Sequence, residues 1–220
     1  MIKTVIFDMD GVLVDSEPVH LKAYVQHFKE LNIEFSEDFY HSFIGSSTKN
    51  IYNRIKERYQ LSQSAEALII RKRELFYMAF DESTSLKLME GVFNLIQELH
   101  QNNIQLIVAS SSSYENINMV FKNFDLDKYF SHKVSGEDFP ESKPNPAIFN
   151  KAVELSGHLK NECIVIEDST NGIKAANSAG IFVIGYKAKD SIQNYQTADW
   201  VISDYKEISF EKIQKIENRT

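Results

Sequence analysis

Two acids, Asp8 and Asp10, stand two residues apart, directly after the apolar run Thr4-Val5-Ile6-Phe7 and directly before Gly11. β-Branched and aromatic residues of this kind make a buried strand, so the pair projects from a strand end where packing gives no reason for charge. Side chains alternate along extended backbone, which points Asp8 and Asp10 to the same side. Gly11 then lets the chain turn sharply and come close to a ligand. One carboxylate of such a pair can attack a substrate while its neighbour carries protons. A turn or capping pair accounts for the same residues without chemistry, and the rest of the chain decides between the two.

Three further groups occupy matching places. Ser110 and Ser111 follow an apolar run at 104–109, Glu167 and Asp168 follow Cys163-Ile164-Val165-Ile166, and Lys143 lies in the short loop Ser142-Lys143-Pro144-Asn145-Pro146. Each has a bland explanation alone: a solvated loop lysine, serines that cap a helix, an acidic pair at a helix N-terminus. Together they bring four carboxylates, one ammonium and several hydroxyls to the carboxyl ends of strands, where open parallel sheets bind ligands. Two like charges ~4 Å apart repel by ~4 kcal/mol at an effective dielectric of ~20, so several such pairs would consume a typical stability of ~5 to 15 kcal/mol. Cations must therefore be present. Lys143 supplies one charge, and a hard divalent ion held by carboxylate oxygens supplies two more; that donor set favours Mg²⁺ over zinc. Cys163 and the six histidines show no metal-ligand spacing.

The elements that must hold these groups are written in the pattern. Short apolar runs at 3–7, 104–109, 163–166, 182–184 and 200–202, most of them separated by segments of helical length, predict an α/β fold with a Rossmann-like parallel sheet. Ser112 with Glu115 reads as a capping box before a helix at 117–124. Asn145-Pro146 reads as an N-cap and first-turn proline before a helix at 148–155, and Gly157 and Gly180 read as helix stops.

Between about 17 and 85 the character changes. Pro18 opens a helix on which Leu21, Tyr24, Val25 and Phe28 recur at helical spacing, and 37–43, 50–59 and 65–80 predict three more. The expected division is an α/β catalytic core, residues 1–14 and 86–220, with an α-helical cap, residues 15–85, inserted after the first strand. Linkers are expected near Asp15-Ser16 and Ser83-Thr84-Ser85. Phe39, Phe43, Phe76, Tyr77 and Phe80 are expected to build the cap's interior. His20, about one turn into the first cap helix, reads as a surface or hinge residue.

Composition excludes several classes of function. The 220 residues are 43% hydrophobic and 25% charged, as in an ordinary globular protein. A net charge of −7 offers no basic footprint for nucleic acid or an anionic membrane. No apolar stretch approaches the roughly 18 residues needed to span a bilayer, and no signal peptide is read before Asp8. The single cysteine, Cys163, lies in an apolar run and cannot form an internal disulfide. The expectation is a cytoplasmic protein with a buried, inert thiol, and nothing demands more than a monomer.

Four ordered motifs carry a family resemblance. Phe7-Asp8-Met9-Asp10-Gly11-Val12-Leu13-Val14-Asp15-Ser16-Glu17, Ala109-Ser110-Ser111, Ser142-Lys143-Pro144 and Ile166-Glu167-Asp168-Ser169-Thr170-Asn171-Gly172 resemble those of haloacid-dehalogenase-like phosphohydrolases. The likeness runs nearly end to end and is to the subgroup with a helical cap after the first motif, which includes sugar-phosphate phosphatases and beta-phosphoglucomutase. The resemblance implies that Asp8 is the nucleophile and forms an aspartyl-phosphate. Asp10 would then protonate the leaving oxygen and activate water. Mg²⁺ would be bound by Asp8, the Asp10 backbone carbonyl and Asp168, with Glu167 acting through water or from behind. Ser110 and Lys143 would hold the phosphoryl oxygens, assisted by backbone N–H groups near Met9, Asp10 and Ser111.

The same resemblance implies substrate contacts from the cap. His20 stands at an early cap position shared with the mutases, whereas Thr48 stands where the mutase pattern has an arginine. Lys49 then remains as a compensating cation, with Lys72 or Arg73 also lining the cap. The expected function is a Mg²⁺-dependent phosphatase acting on a small phosphorylated metabolite, a sugar phosphate first, with a phosphosugar mutase as the alternative. Dehalogenation ranks low because it needs neither Asp10 nor the metal-binding acids. A non-catalytic phospho-accepting module is the reading from a different class, and the cap argues against it, since a lid that excludes water serves turnover.

Overall fold

The computed structural model describes residues 1–43, 46–81, 86–189 and 191–216. Among them the chain forms the parallel strands β1 (Thr4–Phe7), β2 (Gln105–Ser110), β3 (Phe130–Ser135), β4 (Cys163–Glu167), β5 (Phe182–Tyr186) and β6 (Trp200–Ile202), in the spatial order β3-β2-β1-β4-β5-β6. The chain builds outward from β1 through β2 to β3, then returns to lay β4 on the other side of β1. The direction of winding thus reverses between β1 and β4, and it is at such a switch that a crevice opens above the strand ends.

Both faces of this sheet are covered, which is why the central strands read as unbroken apolar runs. Val5 and Phe7 pack into one layer with residues of α5 (Val92–Gln101), α6 (Tyr114–Asn123) and α9 (Phe210–Gln214). Ile6 points the other way, into a layer with α7 (Ala147–Ser156) and α8 (Thr170–Ala179). At ~1.5 to 3 kcal/mol for each fully buried large side chain, these layers fix where β1, β2 and β4 stop, and so where their terminal polar residues stand.

The expected strands are all found, with ends displaced by two residues at most. β3 was not expected: Ser131, His132 and Lys133 interrupt its apolar residues because it is an edge strand, with only Phe130, Val134 and Ser135 buried. Two cap assignments change. Ser113, not Ser112, caps α6, its hydroxyl accepting from the Asn116 N–H at 3.3 Å. Pro146 takes the cap position of α7, while the Asn145 side chain accepts from the Ala147 N–H at 2.9 Å. Gly157 and Gly180 end α7 and α8 in the left-handed conformation, as expected.

Four helices follow β1: α1 (Glu17–Glu30), α2 (Glu37–His41), α3 (Thr48–Tyr59) and α4 (Ala65–Asp81). They have an interior of their own, built on Tyr24, Phe28, Phe39, Phe43, Tyr52 and Ile55, with a second cluster of Val19, Ala23, Leu75 and Phe76 where α1 meets α4. Phe80 is half-buried. Tyr77 is also half-buried and faces outward, donating to Glu115 of α6 at 2.6 Å. Leu21 and Val25 are exposed, contrary to the sequence reading; Tyr24 and Phe28, four residues apart, form the buried stripe instead. α2 stops before Phe43, and α3 starts two residues early because the Ser47 hydroxyl accepts from the Asn50 N–H. The expected linker at Ser83-Thr84-Ser85 lies outside the described residues, as does Gly45.

The helical layer meets the sheet domain through Asn50, whose side chain donates to the Ser142 hydroxyl at 2.6 Å, and through an Arg73–Glu137 ion pair. No helix among the described residues is long and apolar enough to cross a membrane.

Candidate active site

β1 continues one residue past its last ladder pair, since the Asp8 N–H donates to the Ile166 carbonyl at 3.0 Å. The chain then folds back at once: the N–H groups of Leu13 and Val14 both donate to the Met9 carbonyl, and Gly11 N–H donates to the Val14 carbonyl. Gly11 adopts φ +78°, and a Cβ there would lie 2.2 Å from Asp168 Oδ2. Glycine is required twice over, by the backbone and by the carboxylate above it.

The two acids of this turn line one cavity but have different partners. Asp8 Oδ1 accepts from Lys143 Nζ at 2.6 Å, and the same ammonium donates to Glu167 Oε1 at 2.8 Å and to the Ala109 carbonyl at 3.1 Å. Lys143 is 4% exposed. Burial works against its charge, yet the Asp8 and Glu167 carboxylates outweigh that and hold it protonated. Asp8 itself is pushed up to about 7, first by burial; Lys143 pulls it down, while Glu167 and Asp10 push it further up.

Asp10 is held below the ordinary carboxylate range. Burial opposes its charge, but hydrogen bonds and the nearby imidazole of His20 outweigh it, with Ser16 and Ser112 adding two more donors. Ser112 Oγ lies 2.8 Å from Asp10 Oδ2, Ser16 donates to Oδ1, and Ser110 Oγ approaches Oδ2 at 3.4 Å. Ser110 also accepts from the Ser112 N–H at 3.1 Å, which ties the two serines together.

His20 is not a surface or hinge residue. Its ring lies in the cavity with Nε2 3.5 Å from Asp10 Oδ1, and Nδ1 is 3.0 Å from Lys72 Nζ. Burial first, then the neighbouring ammonium, keeps His20 below its usual value. A neutral ring therefore accepts from Lys72 at Nδ1 and presents Nε2–H to Asp10. Lys72 is 1% exposed, lies over the Tyr24 and Phe76 rings, and is lowered to about 7 by burial.

The second acidic pair divides its work. Both oxygens of Glu167 are engaged, Oε1 by Lys143 and Oε2 by the N–H and hydroxyl of Ser169 at 2.7 and 3.0 Å. Glu167 therefore stands behind the other acids, holding Lys143 and the start of α8. Gly172 makes room for it, since a Cβ there would fall 1.7 Å from Glu167 Oε1. Among the described residues no side chain donates a hydrogen bond to Asp168, and burial followed by the charges of Glu167 and Asp8 raises it well above the ordinary range.

A cavity of ≈ 530 Å³ joins these groups to the helical layer. Ser111, Tyr24, Tyr40, Phe43, Thr48 and Ile51 are among the residues of its walls. Lys49 and Arg73, expected to reach substrate, do not line it: Lys49 is exposed and Arg73 pairs with Glu137. Sequence reasoning missed Ser16 and assigned Ser112 to a helix cap; nothing in their spacing distinguishes them, because only the fold brings residue 112 to residue 10.

The donor chemistry fits a hard divalent cation. The buried Asp8 and the half-buried Asp168 are both pushed toward holding protons, by burial first and then by the like charges around them, and the side-chain-free Gly11 leaves space beneath Asp168. Asp8 and Asp168 offer carboxylate oxygens, as Mg²⁺ prefers. As the side chains lie, no three acidic, histidine or cysteine groups among the described residues are placed together to hold a metal ion; Asp8 is turned to Lys143 and Asp10 to its hydroxyl donors.

A doubly wound parallel sheet, with acids at its switch point and an inserted helical layer over them, defines an α/β enzyme scaffold. The chain belongs to the haloacid dehalogenase-like hydrolase family, whose model matches residues 5–186. It is 31% identical to a phosphorylated carbohydrates phosphatase of Thermotoga maritima over 81% of this chain and 82% of that protein. It is 29% identical to the beta-phosphoglucomutase of Bacillus subtilis over 83% of this chain and 82% of that one. The crystal structure of beta-phosphoglucomutase from Clostridium difficile superposes with a TM-score of 0.86 at 27% identity, covering 98% of this chain and 96% of that chain.

Proposed function

We propose that the protein is a Mg²⁺-dependent phosphatase that removes phosphate from a small phosphorylated carbohydrate by way of an aspartyl-phosphate on Asp8. The observation that carries this reading is the division of labour between two neighbouring carboxylates, Asp8 on an ammonium and Asp10 on hydroxyl and imidazole donors. The phosphatase of Thermotoga maritima, named for phosphorylated carbohydrates, supports the substrate class.

In this mechanism an Asp8 carboxylate oxygen attacks phosphorus while the bond to the sugar oxygen breaks. Asp10 gives its proton to that departing oxygen. The phosphate dianion beside Asp10 raises its proton affinity above that of the empty site, which favours the acid form that this step uses. Water then passes a proton to Asp10 and attacks phosphorus, releasing phosphate and restoring Asp8. Lys143 and Ser110 hold the phosphoryl oxygens throughout, and a neutral His20 keeps Asp10 oriented. Mg²⁺, held by Asp8, Asp168 and the Asp10 carbonyl, would neutralise charge on the nucleophile and the transferring group. The helices α1–α4 act as the cap that closes this reaction from water.

A mutase must also hold a second phosphate. Here Thr48 faces the cavity, Lys49 does not, and Lys72, the cap cation that does line it, is committed to His20 and the Tyr24 and Phe76 rings, which favours hydrolysis. The test is a panel of hexose and pentose phosphates with Mg²⁺, assayed together for free phosphate and isomerised sugar phosphate. Steady phosphate release without isomer is expected; isomer formed faster than phosphate contradicts the reading and assigns the mutase.

A further inference from the structure

Among the described residues no side chain donates to the Asp168 carboxylate, yet the residue stands at the first turn after β4, where backbone slack would move it. What fixes that turn comes from far along the chain. The Tyr195 hydroxyl donates to the Asp168 backbone carbonyl at 2.7 Å, and the hydroxyls of Ser191 and Tyr195 lie 2.8 Å apart. With the phenol proton committed to Asp168, Ser191 is the donor in that second contact. The Gln193 side-chain oxygen accepts from the Thr170 N–H at 2.9 Å, and the Asn194 N–H donates to the Thr170 hydroxyl at 2.8 Å. Three hydrogen bonds thus clasp residues 168–170 from one side, with the Ser191 contact bracing Tyr195 behind them, while Glu167 grips Ser169 from the other.

The clasp is built in rather than draped over the surface. Tyr195 is 9% exposed and packs with the α7–α8 layer of the core. Gly185, in β5, accommodates its ring: a Cβ there would come within 2.9 Å of Tyr195 Cδ1. Ser191 and Gln193 meanwhile contribute to the wall of the active-site cavity.

We infer that Tyr195 is a positioning residue for Asp168, fixing through its backbone carbonyl the carboxylate that would hold the divalent cation. The inference rests on the reading of Asp168 as a metal ligand. Outer partners that orient a ligand typically change metal affinity 10- to 100-fold when removed. A phenol hydrogen bond to a ligand's own backbone belongs at the lower end of that range.

The experiment is calorimetric titration of Mg²⁺ into the substrate-free protein, with thermal unfolding in chelator to establish that each variant is folded. Tyr195→Phe keeps the ring against Gly185 and deletes only the hydroxyl; Mg²⁺ binding about tenfold weaker than wild type is expected. Ser191→Ala should weaken binding in the same direction by a smaller factor, and it decides the matter if Tyr195→Phe does not fold. Asp168→Asn separates the two levels of the argument. Weaker binding in Asp168→Asn with wild-type binding in a folded Tyr195→Phe overturns the inference alone. Wild-type binding in Asp168→Asn overturns the ligand assignment, and the inference with it.

Discussion

Gly11 and Gly172 each lie where a carboxylate needs the space that a methyl group would fill. At Gly11 the strain is double, since the left-handed backbone costs a non-glycine residue ~1 to 3 kcal/mol and the added carbon would displace Asp168. Gly11→Ala is therefore expected to lower the unfolding free energy by about that amount, measured by urea titration, and to cut kcat by a larger factor than stability loss alone would bring. A variant with wild-type kcat would show that Asp168 need not stand over residue 11. Much of this chemistry was legible in the chain. Asp8, Asp10, Ser110 and Asp168 stand at strand ends, and a strand end is visible wherever a β-branched run meets polar residues, while Lys143 stood out in the short proline-bounded loop before α7. Ser16 and Ser112 were not legible, because a serine's role depends on what the fold sets opposite its hydroxyl.

At the scale of elements, the helical layer holds a titratable group in its buried interior. His27 is 1% exposed and its Nδ1 lies 2.6 Å from the Tyr52 hydroxyl. Burial, the largest influence, keeps it below its ordinary value; Glu30 opposes that, and Arg71 and Lys72 reinforce it. A histidine depressed in the folded state binds fewer protons there than in the unfolded chain. Its contribution is thus complete above the unfolded value near 6.5 and is lost as pH falls through the lower folded one. The melting temperature is expected to fall between pH 7 and pH 5 more steeply in wild type than in His27→Gln. Parallel profiles would place the acid sensitivity elsewhere. Secondary structure was read most faithfully where both faces are buried, as in β1 and β4. The edge strand β3 escaped because half of it meets solvent, and Leu21 and Val25 misled because helical spacing alone does not say which of two stripes turns inward.

For the molecule as a whole, two separately cored bodies enclose the cavity between them. The sheet domain brings the acids, Ser110 and Lys143 to one switch point, while α1 delivers His20 and α4 delivers Lys72 from the opposite side. That the sheet is parallel could be anticipated from alternating strands and helices. That His20 completes an Asp10–His20–Lys72 chain could not, since it depends on how the helical layer settles on the sheet. The claim on which the whole account turns is that Asp8 becomes phosphorylated during turnover. Rapid acid quenching of the working enzyme, followed by borohydride reduction and peptide mass mapping, reads this directly, because an acyl phosphate at position 8 is converted to homoserine. Homoserine at position 8 in wild type, and none in a folded, inactive Asp8→Asn, is the predicted result; steady phosphate release from Asp8→Asn, or the reduced residue at another position, would contradict it.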